Sequence, residues 1–145
     1  MNWFAPLWRE LTVESWRWIA SAPAKPEPQR WDNSRVTAAW LGHSTVLINF
    51  FGVTILTDPV LFPRIGIRLP FLTIGPKRLT KSALEWNELP LIDLVILSHA
   101  HFDHFEMRTL HHLSCRSQSK ADFDRRTTVI TAPPTPHLPR WPPLR

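Results

Sequence analysis

The stretch that decides the fold reads Leu91-Ile-Asp-Leu-Val-Ile-Leu-Ser-His-Ala-His-Phe-Asp-His104. Its first part, Leu91–Leu97, is apolar apart from Asp93 and has the length of a strand buried on both faces of a sheet. Four potential metal ligands follow it within six residues, namely His99, His101, Asp103 and His104. The pattern predicts a strand that delivers a metal site.

The spacing of these ligands fits metal chemistry. Side chains at positions i and i+2 of an extended chain share a face, so His99 and His101 can converge on one ion. Asp103 and His104 fall where the chain turns into the next helix and can point at a second ion close by. Imidazole and carboxylate together suit Zn²⁺ and related ions. The alternative is a loop of surface histidines, but such a loop would not need a buried strand to deliver it.

The rest of the chain mixes strand and helix patterns. β-Branched and aromatic residues predict strands at Val36–Trp40, Thr45–Phe50, Val53–Thr57 and Thr127–Thr131. Helices are expected at Ser82–Leu89 and from about Phe105 to Ser114, and residues 59–80 predict a long loop of the kind that often serves function. This order predicts an α/β layered domain.

The two ends differ from this central part. Residues 1–20 predict an amphipathic helix over positions 3–20, which either docks on the domain or lies on a membrane surface, where Trp and Arg are favoured. Residues 21–34 predict a Pro-rich linker, residues 35–131 the folded unit, and residues 132–145 an irregular Pro-rich tail.

Composition excludes several classes of protein. The net charge of +5 comes from scattered basic residues without a nucleic-acid motif, so no nucleic-acid partner is expected. The single cysteine, Cys115, excludes an intrachain disulfide and fits a reducing compartment. Neither a spanning helix nor a secretory signal is recognisable, so we expect a cytoplasmic protein, with residues 3–20 as a possible peripheral membrane contact.

The sequence resembles the metallo-β-lactamase fold superfamily, whose His-x-His-x-Asp-His signature stands here as His99-Ala-His101-Phe-Asp103-His104. It is more narrowly similar to the branch that contains N-acylphosphatidylethanolamine-hydrolysing phospholipase D and related bacterial hydrolases. The segments that carry this similarity are Trp40–Ile48, Ile55–Val60, Gly75–Arg78 and Leu89–His99.

The resemblance implies an αββα sandwich, of which this chain holds the N-terminal half, with a two-zinc site at one edge of the sheets. It implies that His99 and His101 bind one metal and that Asp103 and His104 bind the other. A metal-bridging hydroxide, which Asp103 can orient as a catalytic residue, would attack a phosphodiester or related ester, such as a phospholipid.

The resemblance also assigns supporting residues. His43 and Asp58 would lie near the metal edge and orient ligand histidines, although a turn histidine and an Asx-type cap before Pro59 remain alternatives. Four basic residues of the long loop would border the substrate or would simply be solvated: Arg64, Arg68, Lys77 and Arg78. The histidines of the following helix, His111 and His112, are expected to be exposed.

The chain departs from the family after Thr131. Family members supply a third histidine, a bridging aspartate and a last histidine from downstream strands, whereas here only His137 follows and no acidic residue comes after Asp124. We therefore expect an incomplete product, read out of frame from about residue 132. One sheet of a sandwich would then expose the face meant for its partner. The alternatives to an active hydrolase are a truncated fragment that binds metal weakly, a sugar-phosphate lactonase in full-length form, and a membrane-binding module.

Overall fold

A computed structural model of the chain describes residues 16–65, 67–68, 73–99, 104, 106–119 and 127–131. Most of the predicted helix at 3–20 and the whole tail at 132–145 lie outside these residues. The described elements, in chain order, are a 3₁₀-helix at Pro28–Arg30, β1 (Val36–Gly42), β2 (Thr45–Phe50), β3 (Val53–Thr57), β4 (Ile67–Arg68), β5 (Thr73–Ile74), β6 (Leu94–Leu97), α1 (Met107–Ser119) and β7 (Thr128–Thr131).

Five of the strands form one mixed sheet in the order β1-β2-β3-β6-β7. The first three pair antiparallel through tight turns, whereas β6 pairs parallel with both β3 and β7. Parallel strands need a crossover, and α1 lies in the connection from β6 to β7. Strands β4 and β5 form a separate two-stranded hairpin in the connection from β3 to β6. The predicted α/β class is confirmed.

One face of the five-stranded sheet carries the core. The residues that point to it are the alternate positions of each strand, and α1 adds Leu110 and Leu113 to them. The fully or almost fully buried side chains of this cluster include Leu41, Leu47, Leu56, Val95 and Leu97. Burial of a Leu or Val side chain contributes roughly 1.5–3 kcal/mol, so this face is where the described residues gain most of their stability.

The opposite face of the sheet is apolar but open. Residues that pair across neighbouring strands point to the same face, so the strand registers show which side chains share this one. Its exposed apolar side chains are Val36, Trp40, Phe50, Val53, Ile96 and Ile130. Strand β6 is therefore buried on one face among the described residues, and the sequence expectation of burial on both faces is wrong at Ile96. The expectation that a sandwich half exposes an apolar face agrees with this arrangement.

Three other sequence expectations need correction. Strand β6 begins at Leu94, because Asp93 instead bonds the backbone of Thr54 with both its N–H and its carboxylate. Residues 82–89 form turns in place of the expected short helix. His112 is half-buried, since its ring stacks on Trp86 with the centroids 4.4 Å apart, whereas His111 is exposed as expected.

The loop between β3 and β6 is fixed by a buried arginine. Arg78 is 4% exposed, and its guanidinium donates to the carbonyl oxygens of Val60, Leu41 and Thr80. Gly42 makes room for it, because a Cβ there would collide with Arg78 Nη2, and its φ of +103° also favours glycine. Burial lowers the pKa of Arg78, and the charge of Glu106 opposes that effect.

The segment before β1 contacts the same loop. Arg17 donates to the carbonyl oxygens of Lys77 and Arg78, and Ala20 forms a bridge with Thr80. Residues 18–20 are not helical, so they do not continue the helix predicted to end at residue 20. In the described part of the chain, no helix is long and apolar enough to cross a membrane.

We predict that Arg78→Ala destabilises the fold by about 2–4 kcal/mol, because it removes a buried side chain together with its hydrogen bonds to the carbonyl oxygens of three segments. Chemical denaturation followed by circular dichroism measures the change. Arg35→Ala is the matched control, since Arg35 is exposed and its ion pair with Asp32 spans 3.9 Å, and we expect its effect to stay within about 0.5 kcal/mol. Equal effects of the two substitutions would contradict the structural role of Arg78.

Candidate metal centre

The site is built around Asp58, which directly follows β3. Its φ of +36° is unusual for a residue other than glycine, and such a conformation persists only where neighbours hold it. The neighbour is Thr45, which is fully buried at the start of β2. Its hydroxyl donates to the Asp58 carbonyl at 2.8 Å and accepts the N–H of Val60 at 3.0 Å. The turn at Asp58 is therefore held by Thr45 of the β1–β2 hairpin.

The Asp58 carboxylate, at the end of β3, forms hydrogen bonds with the residue that follows β6. Its Oδ1 accepts the N–H of Ser98 at 2.8 Å, and its Oδ2 accepts the Ser98 hydroxyl at 2.8 Å. The Nδ1 atom of His104 lies 3.0 Å from the same Oδ2. Because these partners lie about forty positions away in the chain, Asp58 joins two segments and does not act as a cap of its own turn.

The electrostatics of this carboxylate favour its charged form. Burial by itself would raise the pKa of Asp58, but the hydrogen bonds from the Ser98 N–H, from His104 and from the Ser98 hydroxyl outweigh it. The pKa of Asp58 therefore lies below the usual range. An ionised acceptor at this position attracts N–H donors, so it turns the Nδ1 side of His104 towards itself.

Three imidazole rings meet at this edge. The ring centroids of His99 and His104 lie 4.0 Å apart, and that of His43 lies 5.9 Å from His104 in an edge-to-face arrangement. His43 occupies the turn between β1 and β2 with a φ of +54°, and its Nδ1 lies 3.0 Å from the Ser44 hydroxyl. The first hairpin thus brings His43 to the same edge as the motif.

Two of the four motif residues, His101 and Asp103, lie outside the described residues. Among the described ones, no group of three or more His, Cys, Asp or Glu side chains is arranged to hold a metal ion. The donors that are described nevertheless fit one chemically. His99 and His104 are neighbouring imidazoles, and a carboxylate behind His104 is the usual outer partner of a metal-bound histidine. This set suits Zn²⁺ or a similar ion.

A buried acid, Glu106, lies directly before α1 and supports the site. The Glu106 side chain accepts the N–H of Leu61 at 3.0 Å and that of Phe62 at 3.4 Å, and it also bonds the Thr109 hydroxyl. Burial raises the pKa of Glu106, and its hydrogen bonds partly oppose that effect. Glu106 therefore ties the start of α1 to the loop that leaves Asp58.

The described basic residues of the long loop bond backbone carbonyl oxygens, and the place of Arg78 differs from the expected one. Arg78 lies in the interior with its donors directed at carbonyl oxygens, so it neither borders a substrate nor is solvated. Arg64 donates to the Gly75 carbonyl at 3.1 Å, and Lys77 bonds the carbonyl of Arg17. The Arg68 side chain lies outside the described residues. Loop closure, rather than anion binding, is what the described contacts of these residues accomplish.

Comparison with known proteins identifies the family. The profile described as the beta-lactamase superfamily domain matches residues 37–140, which is more than two thirds of the chain. The chain belongs to this superfamily. This membership agrees with the resemblance that the motif at His99–His104 carries.

Several relatives match this superfamily member in sequence. An uncharacterised protein of Mycobacterium tuberculosis is 37% identical over 111 residues, which are 70% of this chain and 29% of that protein. The N-acyl-phosphatidylethanolamine-hydrolyzing phospholipase D 1 of Caenorhabditis elegans is 38% identical over 73 residues, 50% of this chain and 20% of its own. A metal-dependent hydrolase of Lawsonia intracellularis is 38% identical over 68 residues, 47% of this chain and 23% of its own. The matched part of the chain thus spans less than a third of each of these relatives.

Sequence reasoning missed three residues of the site. Ser98, Thr45 and Glu106 hold Asp58 and the segment after it, yet each is a common residue type without a ligand pattern. The only signals were positional: Ser98 directly precedes the motif, and Thr45 follows His43-Ser44. Long-range hydrogen bonds such as these have no periodicity that a sequence can reveal.

We predict that Asp58→Asn keeps the fold but weakens zinc binding by roughly 10–100-fold, because the outer partner of a metal-bound histidine loses its charge. Asn tolerates the positive φ, so the turn itself is preserved. Competition with a chromophoric chelator measures the affinity. Asp32→Asn is the control, because Asp32 is an exposed acid. Among the described residues, its carboxylate contacts its near neighbours Ser34 and Arg35. Unchanged affinity in Asp58→Asn would contradict the role of Asp58.

Proposed function

We propose that this chain carries the metal edge of a metal-dependent hydrolase that acts on a phosphodiester or related ester, with a phospholipid as the favoured substrate class. The observation that carries the proposal is the convergence of His99 and His104 beside the charged carboxylate of Asp58. Membership of the beta-lactamase superfamily supports it.

The residues of the site divide the work between them. His99 and His104, with His101 and Asp103 of the same motif, would hold two zinc ions, and bound zinc supplies hydroxide near neutral pH and stabilises developing negative charge. Asp58 orients the His104 ring through Nδ1, which leaves Nε2 as its ligand atom. Asp103 is the residue that we propose to orient the attacking hydroxide.

The substrate class follows from the relatives. One is described as an N-acyl-phosphatidylethanolamine-hydrolyzing phospholipase D, and another as a metal-dependent hydrolase. A phosphodiester places its negative charge where two cations are held, so the proposed site suits such an ester electrostatically. These descriptions belong to proteins several times longer than the matched part of this chain.

The proposal predicts zinc-dependent hydrolysis of bis(p-nitrophenyl) phosphate and of N-acylphosphatidylethanolamine by the chain. His99→Ala should lower the rate by more than the roughly 10–100-fold that loss of an outer hydrogen-bond partner costs, because it removes a proposed ligand. His111→Ala is the matched control, since His111 is an exposed histidine on α1 outside the motif. Metal content by mass spectrometry accompanies the kinetics.

Two results would decide against the proposal. A chain that holds less than one zinc ion and hydrolyses neither ester faster than free zinc would support a weakly metal-binding fragment instead. Equal loss of activity in His99→Ala and His111→Ala would show that the motif is not the site of the reaction.

We further propose that the protein meets its substrate at the cytoplasmic surface of a membrane through residues 3–20. The support is the exposure of Trp16 at 86% and of Trp18 at 93%, which flank an Arg17 bonded to the loop at Lys77. Tryptophan is favoured at the level of lipid headgroups. The anchored arginine keeps the two rings next to the domain.

We expect the chain to co-sediment with vesicles of phosphatidylethanolamine and phosphatidylglycerol. The double variant Trp16→Ser/Trp18→Ser should bind roughly 30- to 1,000-fold more weakly, because partial burial of each of the two rings contributes roughly 1–2 kcal/mol. Phe51→Ser removes an exposed aromatic ring from the turn between β2 and β3 and serves as the control. Identical sedimentation of both variants would exclude this contact.

A further inference from the structure

One hydroxyl at the metal edge touches three groups of the site. The Ser98 Oγ lies 2.8 Å from Asp58 Oδ2, 2.9 Å from His99 Nδ1 and 3.4 Å from His104 Nδ1. The backbone of the same residue is fixed as well, because its N–H donates to Asp58 Oδ1 at 2.8 Å. The position of the hydroxyl is therefore set by the end of β6 and by Asp58.

The direction of these hydrogen bonds follows from counting protons. A serine hydroxyl has one proton to donate, and an ionised carboxylate can only accept. A hydrogen bond to an ionised acceptor is about twice as strong as one between neutral groups, so the Ser98 proton goes to Asp58. The short contact with His99 then requires a proton on His99 Nδ1, with Ser98 Oγ as its acceptor.

The same count applies to the other ligand histidine. His104 Nδ1 lies 3.0 Å from Asp58 Oδ2, and this oxygen can only accept, so the proton is on His104 Nδ1. His104 is thus held by Asp58 directly, whereas His99 reaches Asp58 through one intervening hydroxyl. In both rings, the neutral form with its proton on Nδ1 has its lone pair on Nε2.

We propose that Ser98 is a positioning residue that relays the Asp58 carboxylate to His99 and thereby fixes the ring in the tautomer that presents Nε2 as a metal ligand. This inference rests on the proposed metal-dependent function for its purpose, but the tautomer itself exists without metal. It assigns one carboxylate to the orientation of two ligand histidines, one directly and one through Ser98.

The chain offers a conservative variant and a matched control. Ser98→Thr keeps a hydroxyl, whereas Ser98→Ala removes it and leaves the backbone N–H bond to Asp58 in place. Ser44 is the control, because its hydroxyl also lies 3.0 Å from a histidine Nδ1, that of His43, and no described bond joins it to Asp58. Ser44→Ala therefore tests whether loss of any serine beside a histidine has the same effect.

The first experiment reads the tautomer without metal. Long-range ¹H–¹⁵N correlation spectra of the full, metal-free chain at pH about 8, above the ordinary titration range of histidine, distinguish the two ring nitrogens of His99. We expect the Nδ1–H form in the wild type, in Ser98→Thr and in Ser44→Ala, and a shift to the Nε2–H form in Ser98→Ala.

The second experiment measures zinc affinity by competition with a chromophoric chelator. Ser98→Ala should weaken binding by about tenfold, the lower end of the range for outer hydrogen-bond partners, since Ser98 is exposed and water partly replaces its hydroxyl. Ser98→Thr should restore the affinity, and thermal unfolding of each variant controls for loss of the fold.

The outcomes separate this inference from the proposed function. An Nε2–H tautomer of His99 in the wild type, or the same tautomer in wild type and Ser98→Ala, would overturn the relay whatever the activity. Failure of Ser98→Thr to recover the zinc affinity would also overturn it. An Nδ1–H tautomer that depends on Ser98, in a chain that hydrolyses neither ester, would support the relay and contradict only the proposed reaction.

Discussion

The structure depends on the hydrogen bonds that join Asp58, at the end of β3, to Ser98 at the end of β6. These two strands are adjacent and parallel, so the C-terminal ends of both lie at the same edge of the sheet. The buried hydroxyl of Thr45 holds the backbone of Asp58 in a conformation that a free chain avoids. The strained backbone of Asp58 is thus held by contacts with the start of β2 and with the end of β6. Its carboxylate also bonds His104 of the motif that follows β6.

The packing around this cross-link connects the edge to the core. Leu56 and Val95 anchor β3 and β6 in the core, while Arg78 and Glu106 saturate the backbone of the segment that leaves Asp58. Each of these buried charges lies among carbonyl or N–H groups that accept or supply its hydrogen bonds, so its burial costs less than that of an isolated ion. The residues that hold the Asp58 backbone are therefore continuous with the core.

The two faces of the sheet have different consequences. One face carries the core, to which α1 and the loops contribute side chains, whereas the other presents exposed side chains such as Trp40, Phe50 and Ile130. The apolar run of β6 places residues on both faces of the sheet, which is why the sequence predicted burial of this strand on each side.

The sequence by itself determined the strands of the sheet and the helix after the motif, and it named candidate ligands at His99–His104, because hydrophobic periodicity and ligand spacing are local signals. It also determined the family through that motif. Only the tertiary structure decided that Arg78 is interior, that His112 stacks on Trp86, and that Ser98 links Asp58 to His99. Most of these contacts join residues that are far apart in the chain. They form only when the chain folds, so the order of residues shows no pattern that predicts them.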